Sequence, residues 1–181
     1  MRRLLVLLLF LSVHAHAQPA ERRAALEKML DLLRTAPDEH VATALESRIQ
    51  QAWAQAGTPA VNLLVSKGLK ELAAKEPAVA LTAFSDAIVL DPTMAEAWHQ
   101  HGIASYLAGD MAGAARDLRE TLKLEPRHFG AWRTLERLAE TQENWKAAYD
   151  AWQHVLDIDP RTEDGEDKAK ELKKKAFGDN T

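Results

Sequence analysis

Seven histidines, at 14, 16, 40, 99, 101, 128 and 154, are the side chains of this sequence best suited to holding a metal or moving a proton. His99 and His101 stand closest together, but two positions on a helix separate them by about 200°. They cannot share one ion on the same face, and no metal site is expected. No Gly-rich phosphate loop follows a strand, and neither Gly-x-Ser-x-Gly nor His-Glu-x-x-His occurs. The absence of cysteine removes thiol chemistry, disulfides and cysteine-ligated zinc or iron–sulfur sites. The carboxylates Glu39 and Glu46, and Glu136 and Glu140, fall at helical surface spacings that suit salt bridges better than an acid–base pair. No catalytic residue and no cofactor is expected, and the chain does not read as an enzyme.

The remaining constellation is a pair of cations. Arg133 and Arg137 lie one helical turn apart, able to grip a carboxylate in bidentate fashion. The elements that must position them are helices: of 181 residues, 32 are alanine and 25 leucine, whereas valine and isoleucine together number 12. Short and unbranched side chains keep more rotamer freedom on a helix than β-branched ones. The fold class is therefore all-α. A formal net charge of −4 with scattered lysine and arginine offers no basic stripe for nucleic acid.

The chain opens with Arg2 and Arg3, an apolar run from Leu4 to Leu11, and Ala15-His16-Ala17. That is the pattern of a secretory signal peptide over 1–17, too short in its apolar part to span a bilayer core of about 30 Å. The expected location is periplasmic or secreted, with no stable membrane span after cleavage; an uncleaved anchor is the other reading.

Beyond residue 60 the sequence repeats. Asp91-Pro92, Glu125-Pro126 and Asp159-Pro160 recur every 34 residues, as do Ala80, Ala114 and Ala148, and Phe84, Leu118 and Trp152. Ile88, Leu122, Leu156 and the pair Trp98, Trp132 keep the same register. Gly68 and Gly102 with the alanine column mark where two helices come close, and the prolines end each second helix. Pro77 suits the first position of a helix. These columns resemble the tetratricopeptide repeat, and three units fit: 61–94, 95–128 and 129–162. The sequence departs from the pattern at Leu64, where an aromatic residue is usual, at His101 in place of leucine, and at Glu136 in a place normally small. A slight splay of the last helix pair is expected from Glu136.

The resemblance implies a right-handed α-solenoid of antiparallel helix pairs, with a concave groove lined by the second, fifth, ninth and twelfth places of each first helix. Here those are Asn62, Val65, Leu69 and Leu72, then Glu96, His99, Ile103 and Tyr106, then Gly130, Arg133, Arg137 and Glu140. Some members clamp the C-terminal carboxylates of chaperones from both sides; with Val65 and Leu69 in the first unit, that clamp is half missing. What is left suits a partner peptide or helix with one apolar anchor and one acidic group. A plainer reading has Arg133 and Arg137 paired with Glu96, Glu140 or Gln100 and solvated. The expected function is a protein–protein interaction adaptor of the bacterial envelope, with a periplasmic chaperone or assembly factor, and then an enzyme or enzyme-activating subunit, as alternatives.

Two flanks complete the organisation. In 18–60, the stripes Ala25, Met29, Leu33 and Val41, Leu45, Ile49, Ala52, Trp53 predict two helices broken at Pro37-Asp38, with Asp38 as N-cap. They are expected to cap the solenoid end as a degenerate repeat; folding over the groove or dimerising are the other readings. In 163–181 a terminal helix runs to Phe177 and stops at Gly178. Its Ala169, Leu172 and Ala176 face the third unit, and Lys173, Lys174 and Lys175 form a solvated end or a contact for anionic lipid.

Overall fold

The computed structural model describes residues 19–178, so the signal-peptide reading of 1–17 lies outside the described residues. Within them nine helices and no strand are found. The helices are α1 (Pro19–Arg34), α2 (Glu39–Ala54), α3 (Pro59–Ala73), α4 (Pro77–Leu90), α5 (Ala95–Leu107), α6 (Met111–Leu124), α7 (Phe129–Thr141), α8 (Trp145–Ile158) and α9 (Gly165–Phe177). The pairs α3/α4, α5/α6 and α7/α8 are the three repeats, stacked in order and closed by α9.

Each unit is held by the same local devices. The turn inside each pair uses one left-handed residue, at Lys75, Gly109 and Glu143, spaced by the repeat length. The next N–H then bonds back to a carbonyl five residues earlier: Glu76 to Glu71, Asp110 to Ser105 and Asn144 to Ala139, at 2.8–2.9 Å. This closes the orphan carbonyls of the first helix. At the unit boundary Asp91, Glu125 and Asp159 each accept the N–H two residues on, past the proline. The indoles of Trp98 and Trp132 donate to the Pro92 and Pro126 carbonyls at 2.9 and 3.1 Å. The aromatic fourth place thus fastens a unit to the end of the one before.

Packing follows the small and large columns. Ala80, Ala114 and Ala148 are fully buried. The Gly68 Cα faces the Phe84 ring so closely that a β-carbon there would overlap it, and at Gly102 the same atom would come within 3.2 Å of Leu118. Of the departures, Leu64 packs on the core of its unit, and His101 and Glu136 are resolved by polar contacts. His101 bonds Asp117 of α6 through Nδ1 at 2.7 Å and Ser85 of α4 through Nε2 at 3.0 Å. Glu136 is buried and pairs with Lys168 of α9 at 3.0 Å, which also holds Glu140 at 2.9 Å.

The N-terminal pair departs from the expectation of an end cap. α2 lies beside α3 and α5, and α1 beside α8. Leu30, Leu33, Ala42, Ile49 and Trp53 form one core with Phe129 and Ile158 of the third unit. The physical reason is the apolar seam: α1 buries Leu26, Met29, Leu30 and Leu33, while Ala25 and Val41, expected inside, are exposed. Arg127, between α6 and α7, binds Glu27 and Asp31 of α1, which fixes the pair across the second and third units. Asp38 caps α2 as expected, accepting from the Val41 N–H at 2.9 Å.

Candidate functional site

The first helices of the three units supply one wall of a cavity of about 520 Å³, and α2 supplies the other. Leu69, His99, Ile103, Arg133 and Arg137 line it, with Glu96, Gln100 and Thr134 beside them, opposite Ser47, Gln50, Gln51 and Trp53 of α2. Five expected groove residues stand outside this lining. Leu72 packs on the core between α3 and α4, and Glu140 is held by Lys168 of α9. Val65 is buried in the core between α3 and α4, Asn62 is half-buried and donates to the Gln55 carbonyl, and the Tyr106 hydroxyl bonds Thr141 at 2.9 Å.

The two arginines have different fates. Arg133 forks onto Glu46 of α2, with Nη1 to Oε2 at 3.1 Å and Nη2 to Oε1, and also reaches Thr162 and Asp159. Its partners are therefore not Glu96, Glu140 or Gln100. Arg137 is exposed at the cavity rim and has no carboxylate partner among the described residues. Burial would raise the Glu46 carboxyl, but hydrogen bonds from Arg133 and Asp159 and the Arg133 charge hold it below its ordinary value. Asp159 shows the opposite. Burial, then the hydrogen bond and negative charge of Glu46, push its carboxyl up to about 7. Two poorly solvated acids thus face one guanidinium, which favours the ionised form of Glu46 more than that of Asp159.

At the cavity floor Glu96, His99 and His128 meet, all buried. Glu96 Oε2 lies 2.9 Å from His128 Nε2 and 3.4 Å from His99 Nδ1, and its other oxygen accepts from Gln100 at 2.6 Å. His128 is the N-cap of α7, its Nδ1 accepting from the Ala131 N–H at 3.1 Å. Its ring stacks on Trp53 of α2 at 3.9 Å and 13°. Burial would raise the Glu96 carboxyl, but the His99 charge, the His128 hydrogen bond and the His128 charge outweigh it and hold it well below the carboxylate range. Burial, seconded by His99, lowers His128 to about 4 against the pull of Glu96.

Considering His99 with His101 missed this cluster, because its third member, His128, lies 32 residues from Glu96 at the far end of the same unit. The legible part was Glu96-x-x-His99, one turn apart on one helix face. His128 closes that unit at the N-terminus of α7, and only the packing of α7 on α5 brings it beneath Glu96 and His99.

Comparison with known proteins agrees with the repeats. A TPR repeat-containing protein of Rhizobium etli is 27% identical over 168 residues, covering 93% of this chain and 81% of that protein. The MamA crystal structure superposes with a TM-score of 0.60 at 19% identity over 88% of this chain and 85% of its own. The first TPR of Spaghetti (RPAP3), solved bound to the HSP90 peptide SRMEEVD, gives 0.60 at 15% identity over 64% of this chain and 94% of its own. No family model matches the chain. The period of 34, these relatives and the stacked helix pairs lead to one conclusion: the chain is an all-α solenoid with the tetratricopeptide-repeat fold.

Proposed function

We propose that this protein is an interaction adaptor of the bacterial envelope that takes a peptide or helix of a protein partner into the cavity between α2 and the first helices of the repeats. The observation that carries the reading is Arg137, a cation at the rim without a carboxylate partner among the described residues, across a cavity that also presents Leu69 and Ile103. One acidic group for Arg137 and one apolar anchor for that patch describe the ligand. The peptide held by the RPAP3 domain supports the choice of ligand class through the shared fold. Arg133 contributes shape but little free charge, because Glu46 already occupies its fork.

The envelope address rests on the leader pattern of residues 1–17. Among the described residues no helix is long and apolar enough to cross a membrane. Crosslinking in intact cells, with identification of captured proteins, tests the groove. Arg137→Ala should reduce capture of a stoichiometric partner and remove its salt sensitivity, and unchanged capture would sink the reading. Intact mass of the exported protein tests the address: retention of Met1 to Ala17 would refute it.

A further inference from the structure

We propose that Glu96, His99 and His128 form a binding site for a divalent transition metal of the zinc class, with its open coordination toward the cavity. The inference is independent of the peptide reading above. The three residues each offer one ligand atom, and these atoms lie within 4.8 Å of one another. The separations of 2.9 and 3.4 Å from Glu96 Oε2 to the two imidazole nitrogens match the spacing of donors around one small ion, with zinc–ligand bonds of about 2.0–2.2 Å. Two imidazoles and one carboxylate favour zinc and its first-row neighbours over calcium or magnesium, which seek all-oxygen shells.

Two further observations point to a ligand. His99 Nδ1 is buried and aimed into the cluster, where Glu96 Oε2 stands 3.4 Å away without making a hydrogen bond to it. A buried imidazole nitrogen left this way is costly unless something accepts its lone pair or its proton. The second is Gly130, in the place that Glu96 holds one unit earlier. A β-carbon there would stand 3.0 Å from His99 Cε1 and 3.4 Å from His128 Cε1, so glycine makes the room in which the two rings meet.

The surroundings of His99 suit a metal ligand: its Nε2 faces the Thr134 hydroxyl at 3.5 Å, and that hydroxyl donates to the Gly130 carbonyl at 2.9 Å. Gln100 holds the second oxygen of Glu96, and Trp53 fixes the plane of the His128 ring. Loading has a definite cost in hydrogen bonds. His128 Nδ1 now accepts from the Ala131 N–H, which places the proton of the neutral ring on Nε2. Metal on Nε2 moves that proton to Nδ1, and the Ala131 N–H keeps only the His128 carbonyl, 3.0 Å away. The capping bond and the His128 Nε2–H bond to Glu96 are exchanged for three metal–ligand bonds.

The test uses the full-length mature protein with cobalt(II) as an optical probe and zinc(II) as competitor. One equivalent of cobalt should produce the visible absorption of a low-coordinate site, and one equivalent of zinc should abolish it. His99→Gln should remove the band while the remaining histidines stay in place. Because a buried replacement can disturb folding, imidazole nitrogen NMR of the unsubstituted protein gives an independent reading. Zinc should shift His99 Nδ1 and His128 Nε2 and leave His40 and His154 unmoved. Absence of a one-equivalent cobalt band, a band that persists in folded His99→Gln, or zinc shifts confined to other histidines would each overturn the site.

Discussion

Arg133 on α7 holds both carboxylate oxygens of Glu46 on α2, across 87 residues of sequence. The bidentate grip that two arginines one turn apart suggested for a foreign carboxylate is, for Arg133, made within the chain. Both side chains are largely shielded, about four-fifths for Arg133 and slightly more for Glu46. Removing one partner therefore strands the other in a poorly solvated place.

Arg133→Ala should lower folding stability by roughly 2–4 kcal/mol, because Glu46 and Asp159 lose their shared counter-charge. Urea denaturation reads the loss, and hydrogen exchange should place the greatest loss of protection in α2. If α2 exchanges as in the unsubstituted protein, the ion pair does not hold it.

The same cluster makes stability depend on pH. The Asp159 carboxyl is raised from 3.8 to about 7 in the folded protein, so its contribution is complete below the first value and is lost as pH rises through the second. Glu46 and His128 shift downward, and their stabilities change below their ordinary values of 4.5 and 6.5. A fall in the urea midpoint between about pH 6.5 and about pH 8 therefore belongs to Asp159. Asp159→Asn keeps an acceptor for the Arg161 N–H and supplies a permanent donor to Glu46, so it should flatten that fall. An equal fall in the variant would assign it elsewhere.

Trp53 joins α2 to the junction of the second and third units by stacking on His128 and leaning on Phe129 at 5.1 Å. Trp53→Ala should cost about 3–5 kcal/mol and expose the cavity wall. Thermal denaturation measures the first effect, and binding of a hydrophobic dye the second.

The repeated turns give two predictions of opposite sign. Lys75 and Glu143 adopt the left-handed conformation that Gly109 adopts in the middle unit. Lys75→Gly or Glu143→Gly should raise stability by up to about 1 kcal/mol, since glycine relieves a steric cost that L side chains meet there. Gly68→Ala should lower it by about 1–3 kcal/mol, because the new methyl would overlap Phe84. Differential scanning calorimetry of the three variants would separate these signs.

Much of the fold was legible in the sequence because a repeat makes one local rule visible three times. The alanine column, the Phe84, Leu118 and Trp152 column and the prolines each state a packing or termination requirement at a fixed place, and the helices follow them. Glycine suits the left-handed turn at 109, whereas Lys75 and Glu143 give no such signal, since backbone closure there overrides side-chain preference. The apolar stripes showed that α1 and α2 exist. They could not say against what these helices pack, because a stripe defines a buried face and not its partner.

The sequence by itself determined the class, the period and the inward-facing places, since these depend on local periodicity and on which residues fit between close helices. Tertiary structure alone decided how those places are used. Stacking moved His128 beneath Glu96 and His99, and the seam through Leu30, Ile49 and Trp53 drew α2 alongside the groove. That placement gave Arg133 to Glu46 and left Arg137 open at the rim. Charge partners separated by tens of residues are set by the packing of apolar faces between them, and no local spacing encodes that.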